Sequence, residues 1–165
     1  MTAAPAPSRR VPLAALLLGL AGVVPFAWGA LTILWSALGD WSLGTLGTRF
    51  TGRTLLVVYG TVILSFMAGT IWGFATRAGA GRDAQGRAGG EGRGLHAALL
   101  FALSNVPALW AFFLGFSALA LALGFVALLA LDAHAQREGL APPWWMRLRV
   151  LLTVLVVLCL LPGMP

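Results

Sequence analysis

Apolar residues run on along this chain rather than alternate. They form five blocks, near residues 12–35, 54–76, 95–116, 117–135 and 148–161. A strand of a membrane barrel would alternate apolar and polar positions over ~10 residues. Stretches such as Leu55–Leu64 and Val150–Leu161 do not. Lipid offers no partners to backbone N–H and C=O groups, so continuous apolar blocks of this kind read as helices that satisfy their own backbone. A hydrocarbon core of ~30 Å takes ~20 helical residues to cross, and the blocks are about that long. The pattern predicts an all-α integral membrane protein with five spans in one small bundle over residues 11–165.

The third and fourth blocks abut. From residue 95 to residue 135 there is no formal charge before Asp132. At ~1.5 Å per residue this stretch would extend for ~60 Å as one helix, twice what a bilayer can use. A turn at Gly115-Phe116-Ser117 divides it, and the two spans are expected to form a tight helical hairpin. Pro25, with Gly19 and Gly22 before it, predicts a kink within the first span. Residues 36–53 carry Gly39, Gly44, Gly47 and Gly52 and read as an interfacial loop. Residues 77–94, rich in Gly, Ala and Arg, read as a solvated connection. Residues 1–10 read as a disordered tail. In the 132–147 connection, Trp144 and Trp145 suit the aromatic belt at a membrane surface. No internal repeat suggests inverted-repeat transport.

Charge turns this pattern into an orientation. The chain is 59% hydrophobic and 10% charged, with a formal charge of +6. All its basic residues are Arg. Arg9, Arg10, Arg77, Arg82, Arg87, Arg93, Arg137, Arg147 and Arg149 fall on one side of a five-span arrangement; only Arg49 and Arg53 fall on the other. The positive-inside rule therefore puts the N-terminus in the cytoplasm and the C-terminus outside it. Arg residues that flank spans in this way meet lipid head groups, and no basic face or motif points to nucleic acid. Arg9-Arg10 followed by an apolar run imitates a secretory signal, but the run continues through Leu31–Trp35 beyond the apparent cleavage site, so it reads as an uncleaved first span. Cys159 stands alone in the last block, as a small hydrophobe.

Candidate chemistry is sparse. Ser65, Gly69 and Gly73 recur every fourth residue on the second span, flanked by Tyr59, Gly60 and Trp72. Small residues on one face let a neighbouring helix approach closely, and this helix-packing reading outweighs that of a ligand groove. Ser104, Asn105 and Pro107 break the third span near its middle. Pro107 leaves the Leu103 carbonyl without its helical donor, and Asn105 is expected to bond another helix, through Thr61 or Tyr59. Such a break can also build a substrate site. His96, Asp132 and His134 map to the cytoplasmic edge with Arg147 and Arg149. There water reaches, and Asp132 is expected to pair with Arg149, or failing that Arg147, docking the fifth span on the fourth. Two interfacial His residues are more often hydrated than ligands, so no metal or cofactor is expected. No G-x-S-x-G, H-E-x-x-H or phosphate loop is present, and no catalytic residue is assigned.

Tyr59-Gly60-Thr61-Val62-Ile63-Leu64-Ser65-Phe66-Met67-Ala68-Gly69 followed by Trp72-Gly73 resembles the hallmark of the domain-of-unknown-function 3429 family, whose eukaryotic relatives are called transmembrane protein 69. Gly19-Leu20-Ala21-Gly22 with Pro25-Phe26, Ser104-Asn105-Val106-Pro107-Ala108-Leu109, and Trp144-Trp145-Met146-Arg147-Leu148-Arg149 with Thr153 are also similar to it. Met67 and Thr70 depart slightly from the pattern. The resemblance implies a small multi-span protein of bacterial inner membranes with mitochondrial relatives, and it carries over no activity.

With almost no mass outside the spans, the expected function is that of a non-enzymatic accessory or assembly component packing against another membrane complex, one suited to energy conversion by the family's distribution. A small oligomeric transporter or channel using the Asn105/Pro107 break is the alternative. The expected partners are the lipid bilayer and either a membrane protein or further copies of the chain.

Overall fold

The computed structural model describes residues 10–80, 91–114 and 116–165, the side chains of 77–80, 91–97, 100 and 101 apart. Six α-helices make up the described residues: α1 (Leu13–Leu34), α2 (Ser36–Leu46), α3 (Gly52–Ala80), α4 (Glu91–Leu114), α5 (Ala118–Arg137) and α6 (Trp145–Leu160). Short 3-10 turns follow at Thr48–Phe50 and Leu161–Gly163. No strand occurs among these residues. Four segments are long and apolar enough to cross a membrane: Leu13–Leu34, Gly52–Thr76, Ala118–Arg137 and Trp145–Gly163. A shorter apolar helical stretch covers Ala102–Leu114. It belongs to α4, the third expected span, much of whose first half lies outside the described side chains.

Two segments differ from expectation. Residues 36–53 are not a loop. Ser36–Leu46 forms α2, which ends where Gly47 adopts a φ of 83°. With a ψ of 173° the chain leaves the helix extended there, in a positive-φ conformation that glycine carries without a steric penalty. Gly39 is also required by packing, since a Cβ there would stand 2.5 Å from the Thr32 carbonyl oxygen. These glycines serve close approach and termination rather than looseness. The connection expected over 77–94 is shorter too, since α3 runs to Ala80 and α4 starts at Glu91. Residues 81–90, the tail 1–9 and Gly115 lie outside the described residues.

The core forms on α5. Leu121, Phe125, Leu128, Asp132 and Ala135 are all buried, and their spacing of four and three residues lays them along one helix face. Against this face pack Leu56, Leu64 and Ile71 of α3 and Phe26 of α1. Phe26 meets Tyr59 edge-on at 5.1 Å and Phe125 at 6.0 Å. Two glycines set how closely these helices approach. A Cβ on Gly60 would lie 2.9 Å from Leu121 Cδ1, and one on Gly124 would lie 2.6 Å from Leu64 Cδ2. α4 joins α5 through Trp110, whose Nε1 donates to the Ala120 carbonyl at 2.7 Å. Ser117 caps α5 by accepting from the Ala120 N–H.

Candidate functional site

One end of the bundle holds a buried charged pair. On α6, Arg149, Thr153, Val156 and Leu160 are buried at intervals of four and three residues, so the stripe that closes the core begins with an arginine. Arg149 Nε donates to Asp132 Oδ2 at 2.6 Å, and Trp145 Nε1 donates to Asp132 Oδ1 at 2.8 Å. Each carboxylate oxygen is thus held by one N–H. The Arg149 side chain is 3% exposed and that of Asp132 is 0% exposed. Of the two arginines considered as partners for Asp132, Arg149 takes the place, and Arg147 is exposed. Phe74 of α3 packs edge-on against Trp145 at 5.5 Å. The guanidinium carbon lies 6.0 Å from the Trp145 ring centroid, within reach of a cation–π attraction.

One expectation is corrected here. Asp132 is expected at an edge reached by water; it is buried, because α5 continues to Arg137 and α6 already begins at Trp145. Trp145, read as a residue of the aromatic belt, is half-buried, and its indole N–H is committed to the carboxylate. The position of Asp132 on the core stripe of α5 is the signal that reveals its burial. His134 is half-buried on α5, and the side chain of His96 lies outside the described residues. Among the described residues, no three His, Cys, Asp or Glu side chains come together.

Beside the pair lies an apolar cleft of about 250 Å³ between α1, α3, α5 and α6. Gly22, Phe26, Ile63 and Phe125 form part of its wall, and Arg149 and Thr153 line it from α6. Two buried side-chain atoms among the described residues have no hydrogen-bond partner: Arg149 Nη2 and Thr153 Oγ1. Such groups are uncommon in folded proteins, and each calls for a cause. No motif or run pointed to this cleft. The four-residue spacing of Arg149 and Thr153 on one helix face was its only trace.

The remaining expected residues do not gather around the pair. Tyr59 donates its hydroxyl to the Gly22 carbonyl at 3.1 Å, tying α3 to α1. Gly60 is buried in the α3–α5 contact. Gly69 and Gly73 are exposed, and nothing described lies within 4 Å of a Cβ on either. The close approach expected at Gly69 and Gly73 is therefore not made by another described part of this chain; it occurs at Gly60 and Gly124, and Ser65 is half-buried. Trp72 is exposed beside the stripe. On α4, Ser104 and Pro107 are buried and Asn105 is exposed. Pro107 borders a second, wholly apolar hollow with Trp110, Gly124 and Leu131. Thr61 donates its hydroxyl to the Val57 carbonyl.

Long apolar helices closed around a buried ion pair define a small all-α protein of membrane-spanning type. The chain belongs to the family described as "Protein of unknown function (DUF3429)", which it matches over residues 11–164. No curated protein and no solved structure matches it.

Proposed function

We propose that this chain is a non-enzymatic five-span protein of a bacterial inner membrane, N-terminus in the cytoplasm, that serves as an accessory component docking on another integral membrane protein. The observation that carries this reading is the contrast between two sets of glycines. Gly60 and Gly124 are filled by Leu121 and Leu64 of neighbouring helices, whereas Gly69 and Gly73 are exposed. They lie in line with Val62 and Phe66, both exposed, and make a shallow apolar notch. Apolar helices gain little from leaving lipid as such; they associate where small residues let backbones come close. The notch carries no formal charge, so its complement is another apolar helix.

The test uses the native membrane. A photo-crosslinking phenylalanine at Val62, one notch-length from Gly69, should form an adduct with a different polypeptide. Gly69→Leu with Gly73→Leu should abolish that adduct while leaving thermal stability in detergent near wild type, since nothing described occupies that space. An adduct of twice the chain's own mass would favour the oligomeric channel reading. Its absence from an intact, folded protein would end the docking proposal. Reporter fusions at Gln85, Leu140 and the C-terminus should read cytoplasm, cytoplasm and periplasm; a cytoplasmic C-terminus would rule out five spans.

A further inference from the structure

Arg149 and Thr153 stand four residues apart on α6, so their side chains share a face. Both residues are more than nine-tenths buried. Both line the cleft between α1, α3, α5 and α6, and each keeps a polar atom without a partner, Nη2 of Arg149 and Oγ1 of Thr153. The two hydroxyls nearest in kind, Thr32 and Ser42, are buried and bonded. An unmet buried donor costs about 1–3 kcal/mol, and both of these belong to residues that line one apolar space.

The charge of the site limits what can meet them. Asp132 already neutralises the guanidinium through Nε. An anion in the cleft would therefore lie next to a carboxylate in a low-dielectric surrounding and be repelled. A cation would face donors. A neutral oxygen acceptor fits both groups, because Nη2–H and the hydroxyl can donate to its two lone pairs. The remaining wall is apolar, and at its mouth stand Leu18 and Phe66, 76% and 69% exposed. At about 250 Å³ the cleft is smaller than the usual ligand pocket of ~300–1,000 Å³. It holds a head and its first carbons, and a longer tail must leave past Leu18 and Phe66.

We infer that this cleft binds the carbonyl end of a neutral lipophile drawn from the membrane, with Arg149 Nη2 and the Thr153 hydroxyl donating to the carbonyl oxygen. Two membrane sources share that chemistry, the acyl ester of a neutral lipid and the ring carbonyl of a quinone. The site shares Phe66 with the Gly69/Gly73 notch, but its two donors lie on α6 and Gly69 and Gly73 do not line it, so either reading can fail alone.

The test takes the full chain in detergent and follows its melting temperature with added dioctanoylglycerol or decylubiquinone. One of the two probes should raise it saturably, and which one does identifies the source. Thr153→Val keeps the shape and removes one donor, and should weaken the apparent affinity about tenfold, the worth of one strong hydrogen bond. Gly22→Leu should abolish the shift by filling the cleft. A Cβ at Gly22 meets nothing described within 4 Å, so this variant should fold. Solvent extraction of the purified wild type should release the same class of lipophile. If neither probe gives a saturable shift and nothing is extracted, the two donors are met by water only and the inference is overturned. A shift that survives Gly22→Leu overturns it as well, because the probe would then bind elsewhere.

Discussion

The two ends of the bundle bury polar groups by different chemistry. At the end where α1 meets α2 and α3, the groups are hydroxyls and backbone. Thr32 donates to the Gly29 carbonyl at 2.9 Å and accepts from the Gly52 N–H at 2.8 Å. Ser42 lies 2.8 Å from the Thr51 hydroxyl, which itself donates to the Gly47 carbonyl. Trp28 donates to the Phe50 carbonyl at 3.1 Å. At the opposite end a carboxylate and a guanidinium are held between α5 and α6, and two donors are left over. The buried groups of the hydroxyl end are neutral and bonded, and they fix how α2 folds back. The charged end is open in its valence. Buried charge costs far more than a buried hydroxyl and gives no sure gain over an apolar core, so an ion pair with spare donors points to a ligand more than to a scaffold.

The largest effect should come from splitting the pair. Asp132→Asn leaves Arg149 charged and buried, which costs about 3–5 kcal/mol when one partner of a buried pair is removed. Exchanging Asp132 and Arg149 should recover part of that loss. A double-mutant cycle on thermal stability measures the coupling, and a value near zero would make the two ends alike. The corresponding exchange with Arg147 should recover nothing, because Arg147 is exposed.

How much of this contrast was legible in the sequence follows from what sets each part. The long helices were legible because lipid permits little else for apolar blocks of that length. Asp132 with Arg149 was legible as a pairing, since few charges lie near these spans. Its burial was not read, because block edges drawn by hydropathy stop short of where the helices end. α2 was hidden because glycine lowers helix propensity, and the tertiary contact at Gly39 outweighs that tendency. The notch of Gly69 and Gly73 and the close contact at Gly60 look the same in sequence. Only the placement of α5 separates a glycine that meets Leu121 from one that meets nothing described. The cleft depends on α1, α3, α5 and α6 together, and no local pattern encodes it.

A middle-sized effect tests the hydroxyl end. Gly39→Ala would put a Cβ 2.5 Å from the Thr32 carbonyl. Backbone oxygen cannot move aside as a flexible side chain can, so overpacking should cost about 1–3 kcal/mol. Gly44→Ala on the same helix meets nothing described within 4 Å and should gain slightly from higher helix propensity. Equal losses in detergent melting would show that α2 does not need the close approach, and that the hydroxyl end is looser than its bonds imply.

The smallest effect is the sharpest, because it makes one chemical change at both ends. Thr32→Val and Thr153→Val each remove a buried hydroxyl and keep the branched shape. At Thr32 the change strands the Gly52 N–H, which loses the acceptor it holds at 2.8 Å. A stranded buried donor costs about 1–3 kcal/mol, so stability should fall by that much. At Thr153 the hydroxyl has no partner to strand, and replacing an unmet polar group with a methyl is nearly neutral or stabilising by up to about 1 kcal/mol. The two variants should therefore move the melting temperature of the ligand-free protein in opposite directions, or Thr32→Val down and Thr153→Val not at all. The measurement is a thermal melt of both variants after solvent-matched delipidation. If Thr153→Val falls as far as Thr32→Val, its hydroxyl holds a structural bond through water, and the charged end is as fully bonded as the other.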